Sequence, residues 1–196
     1  MPNSLEHIST QTVTGSTVNA IGFTGLSATY QQFAIKGYFC SNSNSTSNFS
    51  NMDWYIRLNG DRTVSGRNWY QRSAATQQGN PNGGNKYYYN NGGTNQFQLT
   101  GPREKYNSNN TMAWQPFEMD LLPGSNDDVE NTIFYHMGSQ NNINQDITSW
   151  LGTGRYYSYA ATGTVTPITS VYLYWNGASD YYKTTSYFSL YGIKES

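Results

Sequence analysis

The stretch MDWYIRLNGD, Met52 to Asp61, holds the fold in miniature. Met52, Trp54, Ile56 and Leu58 alternate with Asp53, Tyr55, Arg57 and Asn59, so an extended chain buries the first set and presents the second. The run then meets Asn59-Gly60-Asp61. Asn, Asp and Arg gathered around a glycine could hold a ligand. They are also the chemistry of a turn, with positive φ at Gly60 and side-chain-to-backbone hydrogen bonds from Asn59 and Asp61. The turn is the expected reading.

The same period of two recurs on both sides of this stretch, whereas helical spacing is hard to find. Leu5 to Val13 reads as a first strand. Ile21 and Phe23 share a face, as do Phe33, Ile35 and Phe39 opposite Lys36 and Tyr38. Later candidates are Met112 to Leu121, Thr132 to Met137, Tyr156 to Ala160, Ser170 to Trp175 and Tyr187 to Ile193. Clusters of Gly, Asn, Pro and Ser punctuate them, as in a sandwich or barrel. The expectation is an all-β chain forming a single antiparallel β-sandwich over residues 1–196. Its inner faces are expected from Ile21, Phe23, Phe33, Ile35, Trp54, Ile56, Leu58, Val171, Leu173, Phe188 and Leu190.

Two segments break the rhythm. Ser41 to Asn51 is polar and of low complexity, a solvated connector by composition. Gln71 to Asn95 carries QQGNPNGGNKYYYNNGG and reads as a long inserted loop. Connections of that length in a compact domain are more often functional than idle. Three tyrosines in a row, Tyr87, Tyr88 and Tyr89, put at least one ring on each face of any strand. They suit either a short inserted hairpin or an exposed contact patch.

Composition narrows the function classes. Charged residues are 12% of the chain and aromatic residues 16%, with 18 Tyr and 19 Gly, a balance that opposes disorder. The net charge is −1 and neither sign forms a stripe, so no electrostatic footprint for nucleic acid or an anionic membrane is present. Near-zero charge favours association and suits a protein that works in an assembly. Cys40 is the single cysteine, which excludes an internal disulfide, and its apolar setting in YFC predicts a buried thiol. The first ten residues lack a basic and apolar leader pattern, and apolar runs of membrane-spanning length are absent, so a soluble protein made in a cytoplasm is expected.

Chemistry-bearing patterns are few. His7 and His136 lie far apart without metal-ligand spacing, and neither a nucleophile elbow nor a phosphate loop occurs. A spatial Ser-His-Asp triad remains open. Glu118 and Asp120 in FEMDLL are two apart and share one face of a strand. That pair fits an acid and base for glycoside hydrolysis, and equally a solvated sheet surface. The cluster Asn126 to Glu130 lacks the alternation of a calcium loop. No cofactor or metal is implied.

Several fragments resemble a family of small structural proteins of tailed bacteriophages. SLEHISTQTVTGSTVNAIGFTGLSATYQQFAIKGYF resembles the family's opening, a Leu-Glu-x-Ile strand leading to Phe-x-x-Ile-x-x-x-Tyr. IRLNGD is similar to its Ile-Arg-Phe-Asn-Gly-Asp, and FEMDLLPGSN to its Glu-x-x-Ile-Pro strand end. The close, ITSVYLYWNGASDYYKTTSYFSLYGIKES, resembles an Ile-x-x-Ile strand followed by a Ser-x-Phe-x-Leu-Tyr-Gly-Ile terminus. The matches run in order and frame most of the chain. RTVSGRNWY after Asp61 is longer than the family's pattern, and Gln71 to Asn95 and Gln140 to Tyr156 have no counterpart in it.

The resemblance implies a jelly-roll-like virion component with no enzymatic activity. The expected role is a capsid decoration or cement protein on the outer capsid surface, with the major capsid protein as partner and a homotrimer or other homo-oligomer as its form. Candidate contacts are Leu5, His7 and Ile8 in the N-terminal segment, Trp69 and Tyr70 just before the insertion, and Tyr87, Tyr88 and Tyr89 within it. Asn59, Gly60 and Asp61 are expected as structural turn residues. The rival readings are a tail-associated domain that stacks aromatic rings on host glycan and a small glycan-cleaving enzyme using Glu118 and Asp120.

Overall fold

The computed structural model describes residues 4–40, 54–60, 68–79, 85–94, 97–99, 114–124, 131–141, 146–158, 167–175 and 181–194. These residues are all-β. In chain order the strands are β1 (Ser4–Thr12), β2 (Ala20–Thr24), β3 (Gln32–Phe39), β4 (Trp54–Leu58), β5 (Asn68–Gly79), β6 (Asn85–Thr94), β7 (Phe97–Leu99), β8 (Gln115–Leu122), β9 (Asn131–Asn141), β10 (Asp146–Ser158), β11 (Ser170–Trp175) and β12 (Tyr187–Lys194). They form an eight-stranded sheet, β1-β12-β3-β8-β9-β10-β5-β6, and a four-stranded sheet, β2-β11-β4-β7. Every pairing is antiparallel. The two sheets make a β-sandwich, and they approach at both sides, β1 beside β2 and β5 beside β7.

The alternation read from the sequence sets the inner faces. Ile21, Phe23, Phe33, Ile35, Trp54, Ile56, Leu58, Val171, Leu173, Phe188 and Leu190 are all buried. At their centre Trp54 packs against Phe39, Phe117, Trp175, Tyr182 and Phe188, with ring centroids 4.5 to 6.4 Å apart. Offset and edge-on pairs of this kind contribute about 0.5–1.5 kcal/mol each beyond their buried area. The Trp54 indole N–H donates to the Tyr182 hydroxyl. Burial pushes that hydroxyl's pKa well above 10.0, so it stays a neutral partner. Cys40 is buried, as its apolar setting predicted.

Glycines inside the strands make room for rings on the partner strand. Gly37 lies opposite Phe188 and Gly152 opposite Tyr135 in register. A Cβ at Gly37 would fall 2.3 Å from Phe188 Cδ1, and one at Gly152 would fall 2.0 Å from Tyr135 Cε1. Any side chain at either position would displace a buried ring, so these glycines are packing residues.

The inserted segment Gln71 to Asn95, read as a long loop carrying either a short hairpin or a contact patch, is mostly strand, the hairpin of β5 and β6. Only its Gly/Asn-rich middle, 80–84, falls between the two strands, while the flanking Thr, Ala and Tyr residues pair. The strand expected from Tyr156 to Ala160 starts ten residues earlier, at Asp146, where it pairs with both β9 and β5. Tyr55, expected to face outward into solvent, is buried. It stacks on Tyr174, over whose ring the Arg57 guanidinium also lies, 3.9 Å from the centroid.

Candidate functional site

Strands β8, β9 and β10 run through the middle of the large sheet, and their outward side chains form a grid of two rows. Glu118, His136 and Leu151 stand in one cross-strand row; Asp120, Phe134 and Thr153 stand in the other. Between the rows lies the backbone of Met119, Tyr135 and Gly152. The Met119 and Tyr135 side chains turn inward and are buried. Rows two residues apart on a strand are about 7 Å apart. The result is a shallow depression of about 350 Å³, lined by all six outward residues with Tyr135 and Gly152 as its floor.

Polar and apolar groups divide this depression. On the β8 side, Lys36 Nζ donates to Glu118 Oε1 at 3.4 Å, and Gln32 Nε2 donates to Asp120 Oδ1 at 3.1 Å. Glu118 and Lys36 remain 62% and 52% exposed, so their ion pair is solvated and worth less than about 1 kcal/mol. On the β9 and β10 side, Phe134 is 43% and Leu151 58% exposed. Large apolar side chains in the middle of a polar sheet face are informative in a way that a scattered surface leucine is not.

Glu118 and Asp120 therefore share a face, as their spacing predicted. They stand side by side on one strand along one wall of the depression. A glycosidase needs its two carboxyls on opposite sides of the scissile bond. His136 joins them in the depression, while His7 lies on β1 with its ring edge-on to Tyr191. Among the described residues, no group of three or more His, Cys, Asp or Glu side chains could hold a metal ion.

The other sequence candidates fall at the margins of the large sheet. Leu5 and His7 are exposed on the edge strand β1, and Ile8 sits at a register shift between His7 and Ser9 and packs partly against the core. Trp69 and Tyr70 belong to β5, paired with Tyr157 and Tyr156 of β10. Tyr87, Tyr88 and Tyr89 belong to β6, paired with Thr76, Ala75 and Ala74. The side chains of these five lie outside the described structure, as does Asp61.

Asn59 and Gly60 adopt positive φ of 57° and 66°. The Asn59 side chain bridges two segments. Its Nδ2 donates to Pro167 O at 2.9 Å, and its Oδ1 accepts from Thr169 N at 2.7 Å and Ser170 N at 3.3 Å. Its own backbone N–H donates to Ser170 O. The polar atoms of this side chain are committed inside the chain, between the end of β4 and the start of β11.

Sequence reasoning missed Phe134, Leu151 and Thr153 and weighed His136 only as a metal ligand or a triad member. The alternation Ile133, Tyr135, Met137 inward implies Phe134 and His136 outward, so half of that wall was readable. No protein-family model, curated protein or solved structure matches the chain.

Proposed function

We propose that this chain is a non-enzymatic bacteriophage virion protein that decorates the outer capsid surface and stabilises the shell by burying area across joints between capsid subunits. The observation that carries the reading is the large sheet's two margins. The candidate contacts Leu5, His7 and Ile8 lie on β1 at one end of the strand order, and Tyr87 to Tyr89 lie on β6 at the other. Among the described residues, no strand pairs with the far side of either. These edges are nine and ten residues long. Long edge strands offer rows of backbone donors and acceptors to a neighbouring chain. Glu6, the single charged residue of β1, is paired with Lys194 of the adjacent strand at 2.7 Å. The major capsid protein and further copies of this chain, as a homotrimer or other homo-oligomer, are the partners of this reading.

The jelly-roll assignment belongs to the same proposal. Setting aside the hairpins β5–β6 and β9–β10, the remaining strands order as β1-β12-β3-β8 and β2-β11-β4-β7. Successive strands of that set mostly change sheet, as two interleaved Greek keys do. Both hairpins then extend the same sheet and pair with each other through β10 and β5.

The test is reconstitution. Purified chain added to particles stripped of it should rebind and raise the temperature at which the shell opens, since a ligand of the assembled state stabilises that state. Failure to rebind, or rebinding with no change in shell stability, contradicts the decoration role. A second reading, a tail-associated glycan-binding domain, is favoured by one observation only: the depression on β8 to β10 with its exposed Phe134.

A further inference from the structure

We infer that the depression on the outer face of β8, β9 and β10 is a binding site for a neutral saccharide unit. The inference rests on this surface alone, whichever part of a particle carries the chain.

The site has shape before it has chemistry. Six outward side chains border an open depression of about 350 Å³ over a floor of backbone, at the low end of the volumes of small-ligand sites. Its walls differ in kind. Along β8 run Glu118 and Asp120, each already touching a donor from β3, Lys36 and Gln32. Along β9 and β10 run Phe134 and Leu151, both exposed, with His136 and Thr153 beside them. A pyranose is amphipathic in the same sense. Its hydroxyls pair with planar acceptors and donors around its rim, and its axial C–H groups pack on an aromatic or aliphatic surface.

A phosphate or carboxylate ligand would meet two like charges, Glu118 and Asp120. Lys36 offsets the first, and the neutral Gln32 amide donates to one oxygen of the second. The surface is an alternation of ammonium, carboxylate, amide, imidazole and hydroxyl whose acids keep free acceptor positions. That pattern complements a ligand that is polar, uncharged and both donor and acceptor at each group. Carboxylate acceptors give the stronger hydrogen bonds to hydroxyls, so Asp120 and Glu118 would fix orientation. Phe134 would supply the stacking surface.

The experiment is a solution NMR titration of the full chain with a panel of neutral sugars: glucose, galactose, mannose, N-acetylglucosamine, lactose and maltose. At least one should cause saturable shifts confined to amides of β8, β9 and β10, with dissociation on the order of 1 mM. Asp120→Asn and Phe134→Ala should each weaken that sugar about tenfold or more while leaving the fold's spectrum intact. Leu5→Ala, on the distant edge strand, should leave it unchanged. A panel with no saturable shifts overturns the inference. So does binding that neither substitution weakens, and so does a face that ignores every sugar and shifts instead with a lysine-rich peptide. Loss of sugar binding would leave the particle-binding result untouched, so the two proposals fail separately.

Discussion

The turn at Asn59-Gly60 and the outer face of β8 to β10 are both polar, and both could be sites in sequence. They use their polar atoms in opposite ways. Asn59 directs its amide into backbone groups of 167–170, with the chain held at positive φ to allow it. Glu118 and Asp120 accept hydrogen bonds from the side chains of Lys36 and Gln32 on the next strand and look outward beside an unburied phenyl ring. The first arrangement holds the fold and the second is available to something else. Residue type alone does not separate the two; what separates them is whether the chain satisfies the polar group itself.

The largest effect that follows is at the turn. Asn59→Ala removes the side-chain bridge to β11 and places a Cβ residue without compensation in the left-handed region. A loss of about 2–3 kcal/mol in denaturant unfolding is expected. A loss below about 0.5 kcal/mol would break the contrast by making the turn dispensable.

A smaller effect of opposite sign is expected at the second non-glycine residue with positive φ, Thr185 at 78°. Its backbone N–H donates to Val13 O, and the following Ser186 accepts from Cys40 N through Oγ, so neighbouring chain holds it there. A β-branched residue is poorly suited to this region and has no side-chain bridge like that of Asn59. Thr185→Gly should raise the unfolding midpoint by the equivalent of about 1 kcal/mol. A destabilised variant would mean that the threonine side chain does hidden structural service.

On the outer face, Lys36→Met and Phe134→Ala should each change folding stability by no more than about 0.5 kcal/mol. Thermal melts that drop as far as that of Asn59→Ala would reclassify this face as architecture. The smallest effect concerns pH at the β1 edge. The hydrogen bond from Lys194, with a further one from Tyr30, holds the Glu6 carboxyl below its ordinary value of 4.5. The pair's contribution is therefore complete above that ordinary value and fades as pH falls through the lowered folded-state value. A carboxyl NMR titration should place Glu6 below 4.5, and Lys194→Met should return it towards 4.5. An unchanged midpoint in the variant would show that the ion pair does not tie β1 to β12.

How much of this was legible in the sequence follows from where each pattern resides. Strands β2 to β4, β8, β11 and β12 carry their own alternation, and the buried set from Ile21 to Leu190 could be named from it. In β5 and β10, SAATQQG and LGTGR put small or polar residues on both faces, so no period shows. Their strand character comes from pairing with each other across 12 register positions, a long-range fact that no local window contains. The depression failed to appear for the same reason. Glu118 and Asp120 share one strand and were seen together. Phe134, Leu151 and Thr153 reach them only through the register of β8, β9 and β10, and the pairing of distant segments is set by the whole fold.

The most direct test of the central claim is a count. Under the proposed decoration role, quantitative mass spectrometry of purified phage particles should find this chain in numbers comparable with the major capsid protein. A handful of copies per particle would contradict capsid decoration and move the protein to the tail, and complete absence from particles would contradict a virion role altogether.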